Sequence, residues 1–183
     1  MKTEILIAGF GGQGIMLLGE ILAYSAMKEG KEVSWIPSYG PEMRGGTANC
    51  MVVISDKRIP SPIVTSPDLF IAMNKPSLEK FLPRVKPSGT VFLNKSMIDY
   101  RPSRTDVKIE CIDAVGVADK LGNIKTANMV VLGAVVRTTQ IVRQDTVLTS
   151  LNHFMEGKKK RLLDINRKAF MSTASRDFVV PVS

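Results

Sequence analysis

The densest chemical signal lies in six residues near the start of the chain. Gly9-Phe10-Gly11-Gly12-Gln13-Gly14 fits the pattern G-x-G-x-x-G, follows an apolar run that reads as a strand and precedes one that reads as a helix. Amides at a helix N-terminus, stripped of side chains, form a site for an anion. Three readings are open. The turn could hold a dinucleotide. It could hold a phosphate, a nucleotide tail or the backbone of a partner. It could be a tight turn with a purely structural purpose. A nicotinamide or flavin site also wants an acid near the end of the second strand, to hold the ribose hydroxyls. That stretch reads Val33-Ser34-Trp35-Ile36-Pro37-Ser38, and Glu32 stands at its start, the wrong end. A P-loop fails because no Lys-Ser/Thr pair follows the glycines.

The second signal is the stretch from Ser38 to Cys50, which contains Tyr39, Gly40, Pro41, Glu42, Met43, Arg44, Gly45, Gly46 and Thr47. It begins where the second strand delivers the chain to the carboxyl edge of the sheet. The Gly11, Gly12, Gln13, Gly14 turn sits at that same edge, where open α/β sheets bind their ligands. Gly45 and Gly46 let a partner's backbone come close, while the Arg44 guanidinium donates in a fork. Tyr39 and Met43 add apolar contact area. The plainer alternative is a surface loop bonded to itself.

The remaining inventory is poor in redox and metal chemistry. An iron–sulfur cluster takes four thiolates in a tight pattern, and the chain has two distant cysteines, Cys50 and Cys111, both in strand-like runs that read as reduced core residues. A zinc site needs three or four ligands, and the single histidine, His153, reads as an ordinary helix-surface residue. No Gly-Asp-Gly occurs to hold thiamine diphosphate and its magnesium.

The elements that position these residues alternate in type. Strands are expected at 4–9, 33–36, 48–55, 69–73, 90–94 and 107–112, with helices at 15–28 and near 77–85. From Ala114 the texture turns helical, with helices expected at 115–121, 128–142, 146–155 and 162–173. This alternation implies an α/β fold with a mostly parallel sheet, helices on its faces and a helical C-terminal part. Asn128 to Val142 is apolar on almost every face. It wants cover on several sides, supplied by a partner subunit or by the rest of this chain. The organisation expected is one domain over 1–156 and a basic helical extension over 157–183, packed on that domain or projecting from it.

Taken together, Ile7-Ala8-Gly9-Phe10-Gly11-Gly12-Gln13-Gly14-Ile15 and Ser38-Tyr39-Gly40-Pro41-Glu42-Met43-Arg44-Gly45-Gly46-Thr47-Ala48 resemble the gamma subunit of 2-oxoacid:ferredoxin oxidoreductases. Pro67-Asp68, Asn74-Lys75-Pro76 and Asn128 to Ala134 extend the likeness, which covers roughly residues 4–142. The resemblance implies a Rossmann-like three-layer α/β/α domain that assembles with alpha, beta and usually delta subunits. The whole complex would decarboxylate a 2-oxoacid with thiamine diphosphate and Mg, form an acyl-CoA, and pass electrons through iron–sulfur clusters to ferredoxin. The form of the second loop leans toward 2-oxoglutarate or branched-chain 2-oxoacids. In that picture this chain binds no cofactor alone and is inactive alone. Its two loops dock on the catalytic subunits and help frame the substrate or CoA channel, with Arg44 donating to a carboxylate, a CoA phosphate or a partner's acid. The rival is a stand-alone dinucleotide-binding oxidoreductase using the glycine loop, and the missing acid on the second strand argues against it.

Composition sets the outer limits. The chain has 183 residues and is 44% hydrophobic and 23% charged, enough for a packed core. No secretory signal and no run of the ~20 apolar residues a membrane span requires is apparent. A cytoplasmic protein is the expectation, with neither membrane nor nucleic acid as partner. Of the net charge of +8, +5 falls from Gly157 onward, where seven Lys/Arg face two acids. The Lys158 to Arg161 run lacks the interleaved aromatics that stack on bases, so it reads as a solvated face.

Overall fold

The computed structural model describes residues 1–38, 47–99, 102–156 and 162–174. Six strands form one sheet: β1 (Lys2–Phe10), β2 (Glu32–Ser38), β3 (Thr47–Ser55), β4 (Leu69–Ala72), β5 (Thr90–Asn94) and β6 (Lys108–Ile112). Their order across the sheet is β2-β3-β1-β4-β5-β6. The pairs β1/β4, β4/β5 and β5/β6 are parallel, whereas β3 runs antiparallel to both β1 and β2. The sheet is thus mostly parallel, as expected, with one reversed strand. The reason is connection length. A parallel return needs a crossover of roughly a dozen residues or more, and residues 39–46 are too few for one.

Alternation along β1 feeds two cores. Ile5 and Ile7 face one cluster, and Leu6 and Ala8 face the other, all fully buried. The larger cluster lies under α1 (Ile15–Lys28), α3 (Ala114–Lys120), α4 (Ala127–Thr139), α5 (Gln144–Phe154) and α6 (Leu163–Met171). The smaller one lies under α2 (Lys75–Phe81), which contributes Leu78 and Phe81. Burial on both faces is why the strands read as unbroken apolar runs.

Every residue from Ala127 to Val136 of α4 is buried. Neighbouring α1, α3, α5 and α6 supply the cover, so the all-round apolar character is met within the chain. The approach of α6 is so close that a Cβ on Gly133 would lie 2.1 Å from the Phe170 carbonyl oxygen. The helix stops earlier than the expected 142, because Gln140 adopts a left-handed conformation with φ 50°. Similarly α2 starts at Lys75 and not 77, because Asn74 caps it: the Asn74 side chain accepts from Ser77 N.

The amino edge of the sheet is held by charge. Lys86 Nζ bonds Glu4 Oε2 at 2.9 Å and Asp68 Oδ1 at 2.8 Å, and Lys2 Nζ reaches Glu4 Oε1 at 2.6 Å. Burial raises the Glu4 pKa, but the hydrogen bonds from Lys2 and Lys86 outweigh it and leave it below the usual glutamate value. Asp56 pairs with Lys31 and the Met1 amino group, and the Lys31 hydrogen bond leads in lowering its pKa to about 2. The two outer strands carry interruptions: Pro37 in β2, and the Lys108–Glu110 ion pair at 3.0 Å in β6.

Gly133→Ala should lower the thermal midpoint, because overpacking against backbone costs about 1–3 kcal/mol, more than the ~1 kcal/mol that Ala adds in helix propensity. An unchanged or raised midpoint would refute the contact. Asp56 has a depressed folded-state pKa, so its contribution is full above the unfolded value of about 4 and fades as pH falls toward 2. Asp56→Asn should therefore unfold more easily at pH 7 and show a flatter decline of stability between pH 4 and 2, followed by urea titration.

Candidate functional site

The strand registers bring both sequence signals to one edge. Phe10, the last residue of β1, is the ladder partner of Thr47, the first of β3, and Ser38 at the end of β2 is opposite Asn49. Ser38 and the backbone of Thr47 therefore stand at the same edge as the glycine turn. Tyr39, Gly40, Pro41, Glu42, Met43, Arg44, Gly45 and Gly46 lie outside the described residues. The backbone of Thr47 is placed. The ends of β4, β5 and β6 complete the edge, with Asn74 standing beyond β4 and Asp113 beyond β6.

A glycine turn has no side chains with which to hold its own shape. Here neighbouring amides hold it. Gln13 N donates to Phe10 O at 3.2 Å, and Gln13 Oε1 accepts from Phe10 N at 2.6 Å, closing the turn on itself. The same Oε1 accepts from Asn74 Nδ2 at 3.2 Å, and Gln13 Nε2 donates to Met73 O at 3.1 Å, tying β1's turn to the end of β4. On the other side Asn128 Nδ2, from the first turn of α4, donates to Gly14 O at 3.1 Å. Buried neutral amides of this kind are stable when each group finds a partner.

The glycines divide by purpose. Gly14 has φ +71°, and a Cβ there would meet Asn128 Nδ2 at 2.3 Å. A Cβ on Gly9 would meet Gln13 Oε1 at 2.6 Å and Met73 Cβ at 2.8 Å. Internal packing explains both. Gly12 also needs a positive φ, +89°, yet a Cβ there would meet nothing within 4 Å. Gly11 and Gly12 are exposed on the open side of the edge.

Behind Gly12 and Gln13 is a cavity of about 180 Å³, walled by Met73, Asn94, Val115 and Lys125 among others. Sequence reading passed over Asn94. The available signal was a polar residue ending an apolar strand, Thr-Val-Phe-Leu-Asn. It also missed what Asn74 and Asn128 do, although both fall in the stretches that carry the resemblance. Two wider grooves, of about 530 and 540 Å³, lie on the outer helical face around α5, away from the glycine turn. His153 borders the first. It is exposed and stacks on Tyr24 at 4.8 Å between ring centroids.

The cysteines do not converge. Cys50 belongs to the larger core and Cys111 to the smaller one, on opposite faces of the sheet, and neither is in a disulfide. Burial pushes the Cys50 thiol up to about 12, which opposes a ligating thiolate. These residues do not fit an iron–sulfur cluster. Glu32 pairs with Ser55 at the amino edge, so the acid that a dinucleotide ribose requires does not reach the glycine turn. No helix of the described residues is long and apolar enough to cross a membrane.

Comparison with known proteins converges on one family. A model of the pyruvate ferredoxin/flavodoxin oxidoreductase family matches residues 4–175. The ketoisovalerate oxidoreductase subunit VorA of Methanothermobacter thermautotrophicus is 36% identical over 165 residues, 90% of this chain and 34% of that one. The chain therefore spans about a third of the length of this relative. The 2-oxoglutarate synthase subunit KorC of Methanocaldococcus jannaschii is 36% identical over 151 residues, 80% of each chain. The crystal structure of the keto/oxoacid ferredoxin oxidoreductase gamma subunit from Geobacter sulfurreducens superposes with a TM-score of 0.79 at 28% identity, covering 92% of this chain and 94% of that one.

The shared Gln13–Asn74 bond predicts coupling. Gln13→Ala and Asn74→Ala should each destabilise the fold by about 1–3 kcal/mol. The double variant should cost less than their sum by at least ~0.5 kcal/mol. Urea unfolding of the four proteins measures this, and strict additivity would show that the bond contributes nothing.

Proposed function

The chain belongs to the pyruvate ferredoxin/flavodoxin oxidoreductase family, and on that premise we propose that it works as the gamma-type subunit of a multi-subunit 2-oxoacid:ferredoxin oxidoreductase. One observation carries the proposal. The glycine turn, Ser38 and Thr47 stand at one sheet edge, while the chain's own thiols are buried on opposite faces. An edge built for close approach, on a chain without thiolates to offer, suits service to a neighbour's reactive centre.

In this reading the complex oxidatively decarboxylates a 2-oxoacid to its acyl-CoA and reduces ferredoxin. Alpha, beta and delta subunits hold thiamine diphosphate, Mg and the iron–sulfur clusters, in the cytoplasm. The Gly11–Gly14 turn and the Tyr39–Thr47 segment dock on those subunits and help frame the substrate or CoA channel. Arg44 donates to a carboxylate, a CoA phosphate or a partner's acid. We take 2-oxoglutarate as the substrate, with branched-chain acids next. Similarity to KorC and VorA supports both, and the matched lengths of this chain and KorC favour the first. The stand-alone dinucleotide enzyme gains no support, since Glu32 lies at the opposite edge from the turn.

Purification of the tagged chain from its native cells should bring down proteins with thiamine diphosphate and iron–sulfur motifs. Recovery of the chain by itself, active on a 2-oxoacid, would reverse the assignment. In the assembled complex, Arg44→Ala should raise the KM for CoA or the 2-oxoacid about tenfold, or weaken assembly, consistent with loss of a charged hydrogen bond worth ~1.5–3 kcal/mol. Unchanged kinetics and unchanged assembly would remove Arg44 from the site.

A further inference from the structure

The outer helical face carries a smaller groove that shares no lining residue with the cavity behind the glycine turn. It lies between α1, the outer strand β2 and the end of α5, and its volume is about 280 Å³. Glu20, Tyr24 and Met27 line it from α1 at helix spacing, Trp35 lines it from β2, and His153 and Phe154 line it from α5. Trp35 and Phe154 are half-buried, packing against the larger core on one side and lining the groove on the other. Phe154 meets Tyr24 edge-on at 5.4 Å between ring centroids. One group does not match this apolar, aromatic lining. Glu20 is half-buried, and among the described residues its carboxylate makes no hydrogen bond or ion pair. Taking a charge partly out of water without a partner is unfavourable.

We propose that this groove binds a small methylated ammonium ion, with its charge toward Glu20 and its methyl groups against the rings of Trp35 and Phe154. Aromatic faces attract a cation through the ring quadrupole, and tryptophan does so best. Lys28 already uses this attraction from the neighbouring groove, where its Nζ lies 5.5 Å from the Tyr24 centroid. Other ligand classes fit less well. An anion would meet the charge of Glu20. A neutral apolar molecule would leave that charge without a partner. A calcium ion would find one carboxylate where it takes about six to eight oxygens. A primary ammonium is strongly hydrated, whereas methyl groups leave water readily and suit apolar walls. The volume is just under the ~300–1,000 Å³ of sites for drug-sized ligands, which matches an ion of this kind and is small for a nucleotide.

Trp35 is the only tryptophan in the chain, so its fluorescence reports on this groove alone. Tetramethylammonium chloride, titrated into the full chain against sodium chloride at constant ionic strength, should change that signal saturably, with half-saturation on the order of millimolar. Neopentyl alcohol, a neutral molecule of similar shape, should bind at least about tenfold more weakly. Glu20→Gln should weaken the ion at least about fivefold and leave the alcohol unchanged. Phe154→Leu keeps apolar area and removes the ring, so it should also weaken the ion, and it serves if Glu20→Gln fails to fold. A response that never saturates, equal affinity for ion and alcohol, or unchanged affinity for the ion in a folded variant would each overturn the proposal. Because the titration needs no partner, failed co-purification would remove the subunit reading and leave this result standing.

Discussion

A turn made mostly of glycine has few side chains to fix its shape, and its one amide, Gln13, does most of that here. With one amide it closes the Gly11–Gly14 turn on Phe10 and ties it to the residues that follow β4. Asn128 fixes the far end of the turn from α4. Because α4 is the helix around which four others pack, the shape of the edge is tied to the centre of the core. Any disturbance of helix packing would be felt at Gly14 before it reached the exposed glycines.

The two edges of the sheet are held by different physics. At the amino edge, charges do it: Lys86 bridges Glu4 and Asp68, and Asp56 gathers two cations. At the carboxyl edge neutral amides do it, through Gln13, Asn74 and Asn128. Exposed ion pairs each contribute little and weaken with salt, so losing any one of them, Asp56 included, costs the amino edge only modestly. Buried amides such as Asn74 and Asn128 leave an unsatisfied group when one member is lost. The edge proposed to meet partners is therefore the stiffer of the two, which suits a surface whose geometry must be ready before contact.

Much of this was legible from residue types. The strands lie within two residues of their expected ends, because runs such as Ile5–Ala8 and Val91–Leu93 are buried on both faces and leave no doubt about type. The meeting of the glycine turn with the Ser38 and Thr47 ends was also expected, since strand direction alone sends them to one edge. The antiparallel course of β3 was not, because apolar runs look alike in either direction. Whether α4 was covered by its own chain or by a partner could not be read from periodicity, which reports how much surface needs cover and not what supplies it. Asn94 escaped notice because one asparagine at a strand end gives no sign of whether it will cap the next turn, and here it does not.

Pro37 in β2 and the paired charges Lys108 and Glu110 in β6 sit on the two outermost strands. A proline offers no N–H to an incoming strand, and charged side chains discourage one from settling alongside. Both ends of the sheet thereby discourage lateral growth. Copies of this chain crowded together during synthesis therefore meet a poor β template at either outer strand. Recognition of a neighbour is thereby shifted toward loops and helix faces, where side-chain shape decides identity, and away from generic backbone pairing that any extended segment could imitate.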